Sequence, residues 1–474
     1  MKFIHLPNTT TRLIACACAF AILFAGCSFA PIYVKPEIQT PASFKELTPK
    51  ESQGWWKMFH DPELDTLEYQ AAVSNQSVVA AYANFLAARA VVKQSRSGYF
   101  PTVSAAPSIT RSRQSSLLSQ INPPPPPFTI TEFSLPFDAS WEPDFWGKVR
   151  NSVSASSFEA QATLDDLESI RLTVEAEAAV DYFQLRTVDI QKGILDSSVL
   201  AYQESLKMTR VQYDAGIASD QDVAQEETQI NIARAQATDL GIQRAQFEHA
   251  IAALIGKPAS SFSIAMSPLD AKPAPVPLGV PSQLLERRPD IAAAERRVAE
   301  ANAQIGVARA AYFPDVTLDG SAGFLSTTIG KLFSGPSLVW SIGSTVSQTL
   351  FDGGKRKAIT EQARAVYLGA IANYRQTVLT AFEEVEDNLS TLRILTVELE
   401  QQNAAVESSR RFLTLASDRY QSGMDGYLDV VTAQIALLTN RRAVMDLRML
   451  QITTGVRLIK SMGGGWDGTS ALDR

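Results

Sequence analysis

Apolar and polar residues alternate along several short stretches of the chain. Phe133, Leu135, Phe137, Ala139 and Trp141 alternate with Ser134, Pro136, Asp138, Ser140 and Glu142. Val316, Leu318, Ala322 and Phe324 alternate with Thr317, Asp319, Ser321 and Gly323. Leu338, Trp340, Ile342 and Val346 alternate with Val339, Ser341, Gly343, Thr345 and Ser347. A weaker version covers Thr102–Arg113, with Val103, Ala105 and Ile109 on one side. Side chains of an extended chain change face at every residue, so this period predicts four strands, two in each half. Alternation over about ten residues with aromatics near the ends marks a strand with one face in lipid, and a half-buried sandwich strand gives a similar pattern.

Between the strands the pattern is helical. Pro62–Gly98 reads as a helix ended by Tyr99-Phe100-Pro101. Lys148–Gln191 and Lys355–Tyr420 read as helices of about 60 and about 100 Å at 1.5 Å per residue. These segments are rich in alanine and in alternating charge, as at Glu295, Arg296, Arg297 and Glu300. Such helices are too polar to bury singly and must associate laterally as coiled coils.

The two halves are copies of one unit. Tyr99-Phe100-Pro101 recurs as Tyr312-Phe313-Pro314, an offset of 213 residues. Gly147-Lys148, Tyr213 to Gly216, and Asp222-Val223 recur as Gly354-Lys355, Tyr420 to Gly423, and Asp429-Val430, an offset of 207. The six residues by which the first half is longer fall in the interval holding Pro123–Pro127. Proline cannot donate to a sheet ladder, so that run is read as a polyproline hairpin tip. The organisation is a leader at 1–26, an N-terminal extension at 27–60, a first repeat at 61–258, a Pro- and Ser-rich linker at 259–284, a second repeat at 285–463 and a tail at 464–474. Each repeat reads helix, two strands, long helix, break, long helix. Four strands are too few to close a barrel, so closure calls for strands from other copies.

The leader changes the picture further. Lys2 and Arg12 precede a short apolar run that ends Leu23-Phe24-Ala25-Gly26-Cys27. This resembles a lipobox, with Phe24 where leucine is usual, and makes Cys27 the expected lipidation site. Ser28 follows in place of the aspartate that would signal inner-membrane retention. Cys16 and Cys18 lie inside the leader, so the mature chain keeps one cysteine and no internal disulfide. The formal net charge is −7, and losing Lys2 and Arg12 makes the mature chain more acidic, the wrong sign for a nucleic-acid binder. No apolar stretch long enough for a spanning helix follows the leader.

The motifs carry a resemblance. Trp55-Trp56 with Phe59, Asp61-Pro62 and Leu64; Arg287-Arg288-Pro289-Asp290-Ile291 with Ala308 to Pro314; Leu350 to Gly354; and Gly463 to Trp466 together resemble the TolC-type outer-membrane factor family. The match is to its lipoprotein (NodT-like) branch, which serves resistance-nodulation-division efflux systems. The resemblance implies a mixed membrane α+β fold. It implies a homotrimer with a twelve-stranded outer-membrane β-barrel, four strands per chain, continued by a long periplasmic α-helical coiled-coil barrel. It implies outer-membrane lipid around the barrel, and a periplasmic adaptor protein and an inner-membrane transporter as partners. The expected role is passive exit duct for drugs or other small toxic compounds, with a type I protein-secretion conduit as the alternative. A general porin is disfavoured by the long helices, and a passive envelope spacer by the acids at the helix breaks.

No catalytic or metal-binding signature is found, no cofactor is expected, and only His60 and His249 remain after processing. Function is expected at the two helix breaks. Gly216 and Gly423 provide the turns. The resemblance makes these the periplasmic tips where the duct closes, with Asp429 forming an inward ring of three by symmetry. Where relatives carry a second acid, this chain has Thr432. Tyr420 and Arg419 precede the second turn and are candidates to tie it shut; Asp425, Asp222 and Tyr213 complete the set. Asp222 and Asp429 also read as caps of the helices that follow, Asp222 more strongly than Asp429. Phe137, Trp141, Phe333 and Trp340 are candidates for an interfacial aromatic belt or for packing between subunits.

Overall fold

The computed structural model describes residues 31, 33, 54–113, 115, 128–267 and 287–466. The leader, Cys27, the Pro123–Pro127 run, most of the linker and residues 467–474 lie outside the described residues. Two compact units form, and each draws on both sequence halves: 1–36, 86–162 and 295–373 in one, 37–85, 163–294 and 374–474 in the other.

The first unit holds the sheet. Its strands are β1 (Thr102–Ala105), β2 (Ser108–Arg113), β3 (Thr129–Trp141), β4 (Asp315–Ser326) and β5 (Leu338–Ser347). They pair antiparallel in the order β1-β3-β4-β5, with β2 also on β3. Thr102 faces Ser140 and Ser108 faces Ser134, so β1 and β2 share one register and form a single strand with a gap. The cause is local. The register sets Ala106 against Pro136 and Pro107 against Leu135, and neither proline has an N–H to give the ladder. On the other side Pro136 faces Gly323, where a Cβ would lie 2.2 Å from the Leu135 carbonyl oxygen. Glycine is required there.

Cross-strand pairing aligns the alternating pattern into two faces. Ala322 sits between Phe137 and Trp340, and Leu318 beside Trp141. One face is thus apolar and the other is built from Ser, Thr, Asp and Gly. The apolar face is uncovered in the single chain, with Trp340 73% and Ile342 82% exposed. Among the described residues the edges at β1/β2 and β5 have no neighbouring strand.

The helices follow the duplication. Helices α1 (Pro62–Ser74) and α2 (Gln76–Ser97) precede the first strands. The expected single helix over 62–98 is interrupted because Asn75 is extended and its Oδ1 accepts from the amides of Ser77 (2.8 Å) and Val78 (3.3 Å). Helix α3 (Lys148–Asp214) and helix α6 (Lys355–Gln421) have 67 residues each, and α4 (Asp220–Leu254) and α7 (Tyr427–Ser461) have 35 each. The end expected for α3 at Gln191 is overrun by 23 residues, since Gly193 stays helical and the first left-handed glycine past it comes only at Gly216. Helix α5 (Pro289–Ala310) leads into β4.

Asp61-Pro62 starts α1 in a physically direct way: Asp61 accepts from the amides of Glu63 (3.0 Å) and Leu64 (3.2 Å), and proline takes the first helical position. Trp55 and Phe59 are buried over Phe183 in the core of the second unit. Buried Arg186 in that core binds Glu63, Asp189 (3.2 Å) and the carbonyl of Ala265 (2.7 Å). Asp189 also accepts from Arg244 (2.8 Å), and Glu248 accepts from the Ile264 amide (2.6 Å). The chain leaving α4 is therefore held by charges as well as by the packing of Phe262 and Ile264 against the core.

Glu68 is fully buried and neither of its oxygens has a hydrogen-bond partner. Burial, with Glu175 and Asp65 nearby, pushes its carboxyl well up. Burial also pushes Glu175 up to about 7, against the pull of Arg171. Folded acids with raised pKa hold protons that the unfolded chain releases, so stability is fully present below about 4.5 and is lost as pH rises through about 7. Glu175→Gln should therefore be more stable than wild type by roughly 2–3 kcal/mol at pH 8, with the gain vanishing near pH 4.5. Thermal unfolding in detergent across that range measures it, and a pH-independent difference would contradict the assignment.

Candidate functional site

Both helix breaks adopt the same turn. Gly216 (φ 72°) and Gly423 (φ 75°) are left-handed. At the first, the Gly216 amide donates to the Tyr213 carbonyl (2.8 Å) and the Ile217 amide to Gln212 (2.8 Å). At the second, Gly423 donates to Tyr420 (2.9 Å) and Met424 to Arg419 (2.9 Å). This double closure satisfies the last carbonyls of each long helix, and the positive φ explains glycine in both.

Past the turns the copies diverge. At the first tip Ser219 and Asp222 form a capping box: the Asp222 amide donates to Ser219 Oγ (3.2 Å), and Asp222 Oδ2 accepts from the Ser219 amide (3.0 Å). The equivalent of Ser219 is Gly426, which has no hydroxyl, and α7 has no side-chain cap. The Asp429 carboxylate is exposed and makes no hydrogen bond among the described residues, although the backbone amide donates to the Gly426 carbonyl (3.3 Å). The two aspartates that looked alike in sequence thus sit in different settings.

Arg419 forms a two-pronged ion pair with Asp425, through Nε and through Nη2 at 2.8 Å. That hydrogen bond holds the Asp425 carboxyl below the usual carboxylate range. It also raises the guanidinium, with a smaller contribution from the Asp429 charge. The Tyr420 hydroxyl donates to Gln212 Oε1 of the first hairpin (3.4 Å), and its ring meets Tyr427 edge-on at 5.2 Å. Tyr213, its repeat equivalent, is exposed and makes no side-chain hydrogen bond among the described residues.

One residue of this region escaped the sequence reading. Glu226 on α4 is buried and accepts from Ser205 (2.8 Å) and Thr209 (3.0 Å) of α3. The buried Tyr427 hydroxyl is pushed far up by desolvation and by its hydrogen bond to Glu226. Glu226 thereby joins the two hairpins. The signal was present: its equivalent in the second half is Ala433, a buried-position mismatch between copies.

The family-like motifs are structural clasps. Arg288 is buried, pairs with Asp290 (2.7 Å) and Glu384 (2.7 Å), and donates to the carbonyl of Ser461 at the end of α7 (2.9 Å). Gly463 closes against the same strand of chain, since a Cβ there would lie 2.0 Å from the Arg287 carbonyl oxygen. In the sheet unit Trp141 Nε1 donates to the Tyr99 carbonyl (3.1 Å), and its equivalent Gln348 donates to the Tyr312 carbonyl (3.2 Å). Phe137, Trp141 and Trp340 lie on the apolar face, while Phe333 in the β4–β5 connection meets Phe324 edge-on at 5.4 Å. Among the described residues no group of three or more His, Cys, Asp or Glu is arranged to hold a metal, and no helix is long and apolar enough to cross a membrane.

The family model described as outer membrane efflux protein matches residues 67–257 and again 280–464. The toluene efflux pump outer membrane protein TtgC of Pseudomonas putida is 32% identical over 459 residues, covering 94% of each chain. The pyoverdine export outer membrane protein OpmQ of Pseudomonas aeruginosa is 29% identical over 94% of this chain and 95% of its own. Among solved structures, the outer-membrane channel OprN superposes with a TM-score of 0.86 at 29% identity, over 93% of this chain and all of that one.

Removing Arg288 strands Glu384 and frees the end of α7. Arg288→Leu should lower stability by about 3 kcal/mol without changing any group at the tips. A melting temperature equal to wild type, measured in detergent, would show that the clasp contributes nothing.

Proposed function

This chain belongs to the outer membrane efflux protein family, and on that premise we propose that three copies assemble into the exit duct of an efflux pump, gated at the helix tips by Asp429. Its place is the outer membrane, as the channel component of an efflux system. The observation that carries the trimer is the sheet: an exposed apolar face and two unpaired edges on what are topologically four strands. In lipid an open edge leaves backbone groups unsatisfied, so the sheet must close, and three copies supply twelve strands. Exposed Leu200, Met208, Val211, Leu379 and Leu415 on the long helices call for the same neighbours.

The duct is passive, and we assign it no catalytic step. A periplasmic adaptor and an inner-membrane transporter of the resistance-nodulation-division type would dock at its lower end and supply the energy. Cargo is not selected by the features described. Relatives of nearly equal similarity are named for toluene and for pyoverdine, so small toxic compounds are the class proposed here.

Cys27 is proposed as the lipid anchor. Intact mass of the membrane-purified protein should include three acyl chains, and Cys27→Ala should lose them while the native mass stays about three times that of the monomer, since closure and not the anchor makes the trimer. An unmodified wild type, or a stable monomer in detergent, contradicts one half of this reading each.

At the tip, symmetry brings three Asp429 carboxylates together. At about 6 Å and an effective dielectric near 20 each pair repels by roughly 2–3 kcal/mol. Such a ring attracts cations into a narrow neck. In planar bilayers the wild type should prefer cations, and polyvalent cations should block it from the periplasmic side. Asp429→Ala should weaken that block by about tenfold, whereas Asp222→Ala, which removes a cap, should not. Equal block in the Asp429 variant would move the constriction elsewhere.

A further inference from the structure

A cleft of about 370 Å³ lies between the end of α5 and the first turns of α6, lined by Arg309, Tyr312, Phe313, Lys357, Glu361 and Arg364. Its charge is unusual for its place. A helix N-terminus carries about half a positive charge and favours acids in its first turn. The first turn of α6 has no acid and instead opens Lys355-Arg356-Lys357. Cations crowded there raise the local potential unless an anion is present.

The duplication provides an internal control. In the first half the equivalent cations are neutralised: Lys148 pairs with Glu142 (2.9 Å) and Arg150 with Asp144 (3.0 Å). In the second half Arg356 pairs with Asp352 (2.6 Å), but Lys357 reaches only Glu361 at 3.9 Å with both side chains more than 60% exposed. Lys355 and Arg364 form no ion pair among the described residues. Position 364 is itself an addition, because its equivalent in the first half is Ser157.

The cleft adjoins the end of the apolar sheet face. Gln348 continues the phase of Trp340, Ile342 and Val346 one step past β5, and donates to the Tyr312 carbonyl at the cleft wall (3.2 Å). Leu350 and Phe351 follow, each 89% exposed. In the outer-membrane reading, on which this step rests, that level is where acyl chains give way to phosphates of the periplasmic leaflet.

We propose that this cleft binds the phosphate of an anionic phospholipid. Lys357 and Arg364 supply the counter-charge, and Tyr312 and Phe313 form the wall beside the glycerol and the first carbons of the chains. Glu361 is the single acid of the lining, too little to recognise a zwitterionic headgroup through its ammonium.

The test uses the full-length protein in nanodiscs containing equal phosphatidylglycerol and phosphatidylethanolamine, with lipids retained after detergent extraction counted by native mass spectrometry. Wild type should retain phosphatidylglycerol preferentially. Lys357→Gln with Arg364→Gln should lower that preference by about tenfold, and Lys357→Arg with Arg364→Lys should restore it. Unchanged preference in the Gln variant, loss in the charge-conserving variant, or displacement of phosphatidylglycerol by millimolar inorganic phosphate would each overturn a lipid site; the last would mark a site for free anions. Membrane fractionation of the wild type separates these outcomes from failure of the outer-membrane reading itself.

Discussion

Backbone hydrogen bonding in lipid is the constraint on which the rest of the structure depends. Among the described residues the sheet presents an apolar face to its surroundings and ends at two unpaired edges. Water can satisfy such edges, but the hydrocarbon that the apolar face demands cannot. A single chain cannot meet both conditions. Closure around a threefold axis meets both, and it then dictates that every other element appears three times about that axis. The constriction proposed at the helical tips depends on that symmetry.

The duplication explains how so long a chain is specified, and its mismatches show where the copies do different work. The long helices begin and end at equivalent residues, and both break at a left-handed glycine. Yet Ser219 is matched by Gly426, Glu226 by Ala433 and Ser157 by Arg364. The first mismatch leaves Asp429 without a cap to make. The second inserts a buried carboxylate that accepts from Ser205 and Thr209 of its own hairpin and acts on Tyr427 of the other. The third adds a charge to an already basic helix start. Duplication also lets a motif be read by its constant part: Trp141 and Gln348 share no chemistry except an N–H donor, and both close on the carbonyl of the same tyrosine position.

Charge is used inside the helical unit in two contrasting ways. Arg186 and Arg288 are fully partnered and hold chain segments in place. Glu68 is buried without a hydrogen-bond partner among the described residues, Glu175 is buried despite the pull of Arg171, and the protein keeps both by keeping their protons. The first arrangement orders a structure across all physiological pH; the second makes its stability depend on it.

Local periodicity determined most of the architecture. Period-two alternation located the strands, and β5 matches its expected limits because both faces of a membrane sheet impose strict alternation. Helix ends were less legible. Asn75 breaks a helix that the apolar pattern carries through, and α3 runs past Gln191 because nothing before Gly216 stops it. The glycines, the lipobox-like motif and the duplicated halves are likewise properties of the sequence alone. Tertiary structure decided what each polar residue does. Asp222 and Asp429 occupy the same place in the repeat, and only the presence or absence of a hydroxyl three residues earlier separates a cap from a free carboxylate. Arg288 looked like a signature and is a clasp, because its partners lie 96 and 173 residues distant. Hydrogen bonds and ion pairs act over about 3 Å and depend on direction, so they are set by which elements meet, and that is information no local pattern carries.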